Sequence, residues 1–237
     1  MKKYDAIMFD LDGTLLPMDQ DEFTRGYFGY LYKTAAEPLG YKKETFVPAM
    51  WKGVAAMVKN DGGRKNADAF WEVFEAVTGV ESKGKSEVFE RFYEGEFHNA
   101  KAFTKPSDLA SLAVKAAKEK AERVVLATNP MFPRVGVEAR VSWTGVDKDA
   151  FCHMTDYENS SYCKPNPKYY LEITEKLGLD PKRCLMIGNN AEEDAFAAMS
   201  AGMDAYLVTD CLINEKGLSP DCPSGTLAEC VEFLKAL

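Results

Sequence analysis

Short apolar runs alternate with helical patterns throughout the part of the chain that follows Lys105. The runs are VVLAT, LMIG and AYLV, with a weaker one in FCHMTD. Helical patterns separate and follow them, in SDLASLAVKAAKEKA, KPNPKYYLEITEKLGL, AEEDAFAAMSAG and TLAECVEFLKAL. Because parallel strands need crossover connections, this alternation predicts an α/β fold with a doubly wound parallel sheet. Ser107 is predicted to cap one of these helices, and Pro167 and Gly178 to open and close another.

One further apolar run lies near the start of the chain and ends on two aspartates. Ala6 to Phe9 are bounded by polar residues, which is typical of a strand buried on both faces. Residues two apart in an extended chain point the same way, so Asp10 and Asp12 can aim both carboxylates at one spot beyond the strand. Ligands of open parallel sheets bind at that end. The Asp-Gly pair alone indicates only a turn, but paired carboxylates also suit a cation such as Mg²⁺.

From about residue 19 to residue 100 the pattern is helical. Apolar residues recur at helical spacing in FTRGYFGYLYKTAAEPLG, KETFVPAMWKGVAAMVKN, ADAFWEVFEAVTG and KSEVFERFYEGEF. Four such helices with short connections predict a small bundle, in which the apolar stripes pack as a core. The loop at residues 59–68 carries two glycines and three cations. It fits a solvated turn and a ligand-contacting loop equally well, with Arg64 or Lys65 meeting an anion in the second case.

Length and composition exclude several classes of protein. The chain has 237 residues, enough for a large core with an inserted domain. Its formal net charge is -8 and it has no basic block, so neither nucleic acid nor a membrane is an expected partner. We expect no signal peptide or membrane span, because no apolar segment is long enough. Six cysteines without a C-x-x-C pair and two separated histidines predict a reduced, cytoplasmic protein without a zinc site.

Polar residues at later strand ends complete a set suited to phosphoryl transfer. VVLAT ends on Thr128 and Asn129, YCKPNP presents Lys164 before a proline, and LMIG continues into the acidic NNAEED. A transferred phosphoryl group needs an in-line nucleophile and neutralisation of the charge on its oxygens. Attack by Asp10 on phosphorus would give an aspartyl-phosphate. Asp12 would protonate the leaving oxygen and then help to activate water.

The motifs DLDGT, ATN, the lysine of KPNP and GNNAEED follow the order of the four motifs of the haloacid dehalogenase-like superfamily. The chain resembles the phosphatase branch of this superfamily over its whole length. The resemblance implies an α/β core, residues 1–17 and 101–237, interrupted by an all-helical C1-type cap, residues 18–100. It also implies that Thr128 holds the phosphoryl oxygens and that Lys164 stabilises both the nucleophile and the phosphoryl charge.

Mg²⁺ is the cofactor that this resemblance implies. Family members bind it through the first aspartate, here Asp10, through the backbone carbonyl of the second, here Asp12, and through an acid of the last motif. That motif usually reads Gly-Asp, whereas here Asn189 replaces the aspartate and offers an oxygen without a charge. Asp194 is therefore predicted to bind the metal directly or through water, helped by Glu193. The alternative is that these acids only favour the N-terminus of a helix.

These features predict a cytoplasmic, Mg²⁺-dependent phosphatase that acts on a small phosphorylated metabolite. The cap would close over the core on hinges near Leu15–Asp19 and Ala100–Lys105, exclude water and choose the substrate, with the 59–68 loop as the candidate specificity element. The residues expected to contact the substrate are Thr128, Asn129, Lys164 and Arg64.

Other reactions of the superfamily fit the sequence less well or remain open. Asp12 argues against a dehalogenase, because halide departure needs no acid. A phosphonate hydrolase would want a Schiff-base lysine in the cap, and the sequence singles none out. A phosphomutase would keep the same catalytic residues and stays open. A degenerate protein that binds phosphometabolites without turnover also stays open, because of Asn189. The sequence names neither the substrate nor the oligomeric state.

Overall fold

One six-stranded parallel sheet organises the computed structural model, which describes residues 3–81 and 86–237. The strand order β3-β2-β1-β4-β5-β6 confirms the predicted doubly wound α/β fold. The strands are β1 (Tyr4–Phe9), β2 (Ala121–Leu126), β3 (His153–Met154), β4 (Cys184–Gly188), β5 (Asp204–Val208) and β6 (Ser224–Gly225).

Helices occupy most of the connections between these strands. Within the described residues they are α1 (Gln20–Leu31), α2 (Lys43–Val58), α3 (Asn66–Thr78), α4 (Ser86–Glu94), α5 (Leu109–Lys120), α6 (Arg134–Trp143), α7 (Lys168–Leu177), α8 (Ala197–Ser200) and α9 (Leu227–Ala236). A π-helical turn, Ala191–Phe196, leads into α8, and a second one, Tyr32–Ala36, extends α1. The 3-10 segment Glu96–Phe103 follows α4. No helix in the described part of the chain is long and apolar enough to cross a membrane.

The sequence predicted most of these elements, with three exceptions. The predicted boundaries of α7 are confirmed, since Pro167 precedes it and Gly178 ends it in the left-handed region, at φ 62°. The prediction that Ser107 caps α5 was wrong, because this helix begins at Leu109 and has no hydrogen bond from a capping side chain. The helix α6 and the two-residue strand β6 were not predicted. The start of the KSEVFERFYEGEF pattern, at Lys85, lies outside the described residues.

Strand register brings the residues of the sequence motifs together at the carboxyl ends of the central strands.

 

In the sheet, β1 pairs with both β2 and β4, and Phe9 at its end lies opposite Leu126 and Ile187. The residues that follow these three strand ends are therefore neighbours in space. The interior of β1 is fully buried, as its apolar run predicted, and the Asp10 N–H continues the pairing by donating to the Ile187 carbonyl at 2.9 Å. The candidate catalytic residues thus extend from the middle of the sheet.

The helices α1 to α4 lie between β1 and β2 in the chain, and we call residues 20–81 and 86–103 the helical insertion. The two connections that join it to the sheet run side by side. Met18 pairs with Thr104 in an antiparallel bridge, and the Lys105 N–H donates to the Pro17 carbonyl at 2.7 Å. The structure therefore brings the two predicted hinge segments together. Hinge motion and the division into a core and a cap stay predictions.

Aromatic side chains pack the helical insertion internally and against the rest of the protein. Phe46 and Phe74 are fully buried and meet edge to face, with ring centroids 5.7 Å apart. At the boundary, the Phe97 ring lies 5.1 Å from Trp143 of α6, and the Tyr27 ring lies 5.2 Å from Phe132. Such contacts stabilise the arrangement through buried apolar area and ring geometry.

Candidate active site

A buried group of three charges lies at the carboxyl end of β1. The Lys164 ammonium is 1% exposed, and its Nζ lies 2.9 Å from Oδ1 of Asp10 and 2.6 Å from Oδ1 of Asp194. The other oxygen of Asp194 accepts the Asn190 N–H at 2.9 Å. A Cβ on Gly188 would lie 2.2 Å from the Asp194 carboxylate, so only glycine leaves room for it. Lys164 therefore fixes two carboxylates at once, which a buried cation must do to offset its desolvation.

Burial and charge act in opposite directions on this group. Burial raises the pKa of Asp10 to about 7, and the charges of Asp194 and Asp12 add to this rise. The Lys164 ammonium acts in the opposite direction and lowers the pKa. Burial alone would lower the pKa of Lys164, but Asp10 and Asp194 outweigh it and raise that pKa well above its ordinary value. Lys164 is therefore a permanent cation, whereas Asp10 titrates near neutral pH.

The turn after β1 sets the second oxygen of Asp10. Gly13 has φ +85°, and a Cβ there would lie 2.3 Å from Nδ2 of Asn189, so this tight turn requires glycine. The next residue, Thr14, is buried and places its hydroxyl 3.4 Å from Oδ2 of Asp10 and 3.0 Å from Oδ1 of Asn189. Asn189 in turn donates to the Cys211 carbonyl at 2.6 Å. The DLDGT motif thus links the nucleophile candidate to the residue that replaces the usual aspartate.

Asp12 forms an ion pair with Arg140, a residue that the sequence did not predict for the site. Arg140 lies on α6 and is fully buried, and its Nη1 contacts Oδ2 of Asp12. Its Nε donates to the Gly136 carbonyl at 3.2 Å, and its guanidinium carbon lies 3.9 Å from the centroid of the Phe132 ring. Oδ1 of Asp12 and Nη2 of Arg140 are buried without a hydrogen-bond partner among the described residues. The segment RVGVEARVSW contains two arginines, Arg134 and Arg140, and nothing in its sequence singles out Arg140.

Thr128 and Asn129 follow β2 and lie beside the charged group. Thr128 is 2% exposed, and the Tyr169 hydroxyl donates to its carbonyl at 2.8 Å, which fixes the backbone there. Nδ2 of Asn129 donates to Oε2 of Glu193 at 3.0 Å, and its Oδ1 accepts the Lys164 N–H at 3.2 Å. Burial raises the pKa of Glu193. Asn129 thus ties the lysine segment to the acidic motif.

The oxygen atoms at the carboxyl end of β1 fit the chemistry of a hard divalent cation. The Asp10 carboxylate and Oδ1 of Asn189 share the Thr14 hydroxyl as a neighbour, and the Asp12 backbone carbonyl follows within the same turn. Both oxygens of Asp194 already accept N–H donors. In residues 3–81 and 86–237, no three His, Cys, Asp or Glu side chains are grouped as metal ligands. A cation here would therefore rely on amide and backbone oxygens beside the Asp10 carboxylate, as Mg²⁺ can.

The 59–68 loop docks on the protein rather than reaching the charged group. Arg64 pairs with Glu72, and its side chain is 42% exposed. Asn66 is fully buried and ties the loop down, since its N–H donates to the Ser160 carbonyl at 2.9 Å. The structure therefore does not bring Arg64 to the other predicted site residues.

A cavity of about 370 Å³ lies between the carboxyl ends of the central strands and the helical insertion. Its floor is polar and its far wall is apolar. The predicted site residues that line the floor are Asp10, Asp12, Thr128, Asn129, Asn189, Glu193 and Asp194. The apolar lining comes mainly from α1, α2 and α3, with Phe132 and Tyr157 from outside the insertion. A concave space over a nucleophile and its charge partners is the usual form of a small-molecule site.

The chain belongs to the family of haloacid dehalogenase-like hydrolases, whose family model matches residues 4–202. The matched residues include the charged group at the carboxyl end of β1 and the whole helical insertion. It establishes the class of protein that the fold and the motif order indicate.

Individual relatives are similar over different extents. A glyceraldehyde 3-phosphate phosphatase of Methanothermobacter thermautotrophicus is 42% identical over 45 residues, which span 19% of this chain and 20% of that protein. The solved HAD phosphatase of Thermococcus onnurineus has a TM-score of 0.57 at 19% identity, over 99% of this chain and 98% of that one. The HAD-hydrolase YfnB of Bacillus subtilis, solved bound to magnesium, has a TM-score of 0.58 at 17% identity, over 98% and 99%. At such identities the two structures show the fold alone.

Proposed function

We propose that this protein is a phosphatase that hydrolyses small phosphomonoesters through an aspartyl-phosphate on Asp10. The observation that carries the proposal is the asymmetric setting of the Asp10 carboxylate at the cavity floor. Lys164 holds Oδ1 at 2.9 Å, whereas in the described part of the chain Oδ2 has only the 3.4 Å contact with the Thr14 hydroxyl. One oxygen is thus fixed and the other is available to attack phosphorus, as nucleophilic catalysis requires.

The neighbouring residues supply the proton transfers for both steps. Oδ2 of Asp10 forms a bond to phosphorus while the bond to the leaving oxygen breaks. Asp12 gives that oxygen a proton carried on its Oδ1, which has no partner among the described residues, while its Oδ2 keeps the contact with Arg140. Asp12, now a carboxylate, accepts a proton from water as the water oxygen attacks phosphorus. Phosphate leaves and the Asp10 carboxylate is regenerated. Lys164 and the buried Thr128 hydroxyl stabilise the phosphoryl oxygens in both steps.

We propose Mg²⁺ as the cofactor, because carboxylates outnumber cations at the cavity floor. The carboxylates that line the floor are Asp10, Asp12, Glu193 and Asp194, whereas the cations Lys164 and Arg140 pair with them without lining the cavity. A phosphomonoester would bring further negative charge to this floor. The ligands that the geometry favours are the Asp10 carboxylate, the Asp12 carbonyl and Asn189. When bound, Mg²⁺ would neutralise charge on the phosphoryl oxygens.

Phosphate release from a panel of phosphomonoesters tests the proposal. We expect the protein to release inorganic phosphate with Mg²⁺ and to lose at least about 100-fold in rate with EDTA, with recovery when Mg²⁺ is added back. A stable phosphoprotein that transfers its group to a second substrate, without phosphate release, would favour the phosphomutase. Binding without release or phosphorylation would identify a non-catalytic protein.

Arg140→Met is expected to lower kcat by about 10- to 100-fold, because Asp12 loses the ion pair that orients it. The loss is expected to be larger for alkyl phosphates than for 4-nitrophenyl phosphate, because nitrophenolate leaves without a proton. Steady-state kinetics on both substrates checks this, with Arg140→Lys as the variant that keeps the charge. An equal loss on both substrates would mean that Arg140 serves only the fold.

A further inference from the structure

We infer that the substrate is the phosphomonoester of an uncharged, apolar alcohol, either aromatic or branched aliphatic. This inference rests on the proposed phosphatase function and narrows its substrate class. It separates the substrate from sugar phosphates, from bisphosphates and from phosphorylated carboxylic acids. The grounds are the lining of the cavity, the charges that face it and the surroundings of Asp12.

Aromatic rings line the wall of the cavity that faces away from the charged floor. On one side, the Phe28 and Trp51 rings lie 5.3 Å apart. On the other side, Trp71 lies 5.2 Å from Phe70 and 5.4 Å from Phe74. Trp51 is 52% exposed although it is large and apolar. An apolar group that entered from solvent would cover such rings, which is the favourable direction for apolar surface.

The charges around the cavity disfavour a second anionic group on the substrate. No Lys, Arg or His is among the described residues that line the cavity, whereas Asp21 lines its rim. Two cations of the 59–68 loop are engaged elsewhere: Arg64 pairs with Glu72, and Lys65 donates to the Asn159 carbonyl at 3.2 Å. A carboxylate or second phosphate would therefore be desolvated without a counter-charge, which is strongly unfavourable.

Polyol leaving groups meet a similar difficulty, because the wall offers few free hydrogen-bonding groups. The buried hydroxyls of Tyr27 and Tyr93, which both line the cavity, bond each other at 2.7 Å. A sugar hydroxyl buried against this wall would give up water without gaining a partner.

The apolar lining begins directly beside the proposed acid. Phe132 lines the cavity and also lies over the guanidinium of Arg140, which pairs with Asp12. The group bonded to the leaving oxygen would therefore contact the Phe132 ring while Asp12 protonates that oxygen. Apolar contact at this point would act on the part of the substrate that leaves.

Two matched substrates test the inference directly. We expect kcat/KM for 4-methylphenyl phosphate to exceed that for 4-carboxyphenyl phosphate by about 10-fold or more. The carboxyl group makes the phenol a better leaving group, so chemistry alone predicts the opposite order. We also expect 2-phenylethyl phosphate to be preferred over glycerol 3-phosphate. Equal rates, or a preference for the charged or polyol member, would overturn the inference and leave the phosphatase function standing.

Substitutions in the aromatic wall identify the residues that cause the preference for apolar substrates. Trp71→Ala should lower kcat/KM for 2-phenylethyl phosphate by about 10-fold and that for glycerol 3-phosphate by less than about 3-fold. Val54→Lys, which adds a cation to the wall, should narrow or invert the preference against 4-carboxyphenyl phosphate. Phe233→Ala is the matched control, because this ring packs on Tyr206 away from the cavity. If the control changes the preference as much as Trp71→Ala, the wall is not its source.

Binding provides a readout that does not depend on turnover. In Asp10→Asn, calorimetry should show that 4-methylphenyl phosphate binds about 10-fold more tightly than 4-carboxyphenyl phosphate. If neither ester is hydrolysed by the wild type but this difference persists, the phosphatase proposal fails and the apolar selectivity of the cavity stands. If the difference is absent, the substrate class is wrong whatever the turnover.

Discussion

Asp10→Asn is expected to lower kcat for phosphomonoester hydrolysis by at least about 10⁴-fold, because no other carboxylate can replace the nucleophile. Asp194 has both oxygens occupied, by Lys164 and by the Asn190 N–H. Asp12 is held by Arg140. An amide has the shape of the carboxylate but does not attack phosphorus, so the variant should bind substrate without forming a phosphoenzyme. Acid quenching after incubation with labelled substrate should trap phosphate on the wild type and not on Asp10→Asn.

The control for this prediction is Asp5→Asn, which changes an aspartate of the same strand that pairs with Arg183 at the surface. We expect its kcat to remain within about 2-fold of the wild type. Asp10→Asn should also keep a cooperative thermal transition, because it removes a carboxylate whose burial raises its pKa. Residual turnover within about 10-fold of the wild type, or a trapped phosphoenzyme in Asp10→Asn, would assign the nucleophile to another group.

The sequence predicted the sheet and the meeting of the motifs because both follow from local patterns. An unbroken apolar run such as the one in β1 has no amphipathic stripe, and it therefore indicates a strand covered on both faces. In a parallel sheet, the residues after the ends of adjacent strands must be neighbours, which is why the pattern groups Asp10 with Thr128. Lys164 lies well beyond the end of β3, and the order of the motifs rather than a strand end predicted its place.

Arg140 could not be predicted, because its role depends on a partner far away in the chain. The helix α6 buries Gly136, Val137, Ala139 and Val141 as well as Arg140, and its polar stripe is limited to Arg134, Glu138 and Ser142, so its amphipathic pattern is weak. Nothing in RVGVEARVSW indicates that Arg140 contacts Asp12, which lies 128 positions earlier in the chain. Long-range ion pairs are set by tertiary packing, which no local pattern encodes.

The aromatic residues of the insertion show a second limit. Their helical spacing indicated core packing, which holds for Phe46 and Phe74, both fully buried. Trp51 and Trp71 recur in the same pattern but line the cavity. A ring in a core and a ring in a pocket wall give the same apolar stripe. For the 59–68 loop, likewise, the sequence shows the cations but does not show which residues pair with them.

Lys164→Met is expected to abolish most activity, by about 10³-fold, and to destabilise the protein by about 3–5 kcal/mol near pH 7.5, because it removes the shared partner of two buried carboxylates. Asp194→Asn in the same background should restore part of the stability and none of the activity. Chemical denaturation and phosphate release measure the two effects. The control, Lys148→Met, breaks a surface pair with Glu138 and should change neither quantity appreciably.

The loss of stability in Lys164→Met should depend on pH with a defined sign. Burial already raises the pKa of Asp10 to about 7 in the wild type, and without the Lys164 ammonium, which acts to lower it, that pKa rises further. In the unfolded chain it is about 3.9. A folded-state pKa above the unfolded value means that the folded protein binds the extra proton. The variant therefore loses stability from about pH 4 up to its own folded-state pKa, whereas the wild type stops losing stability from this group near pH 7. Raising the pH from 7 to 9 should therefore widen the gap to the wild type, and a gap that stayed constant would show that Lys164 acts through packing rather than charge.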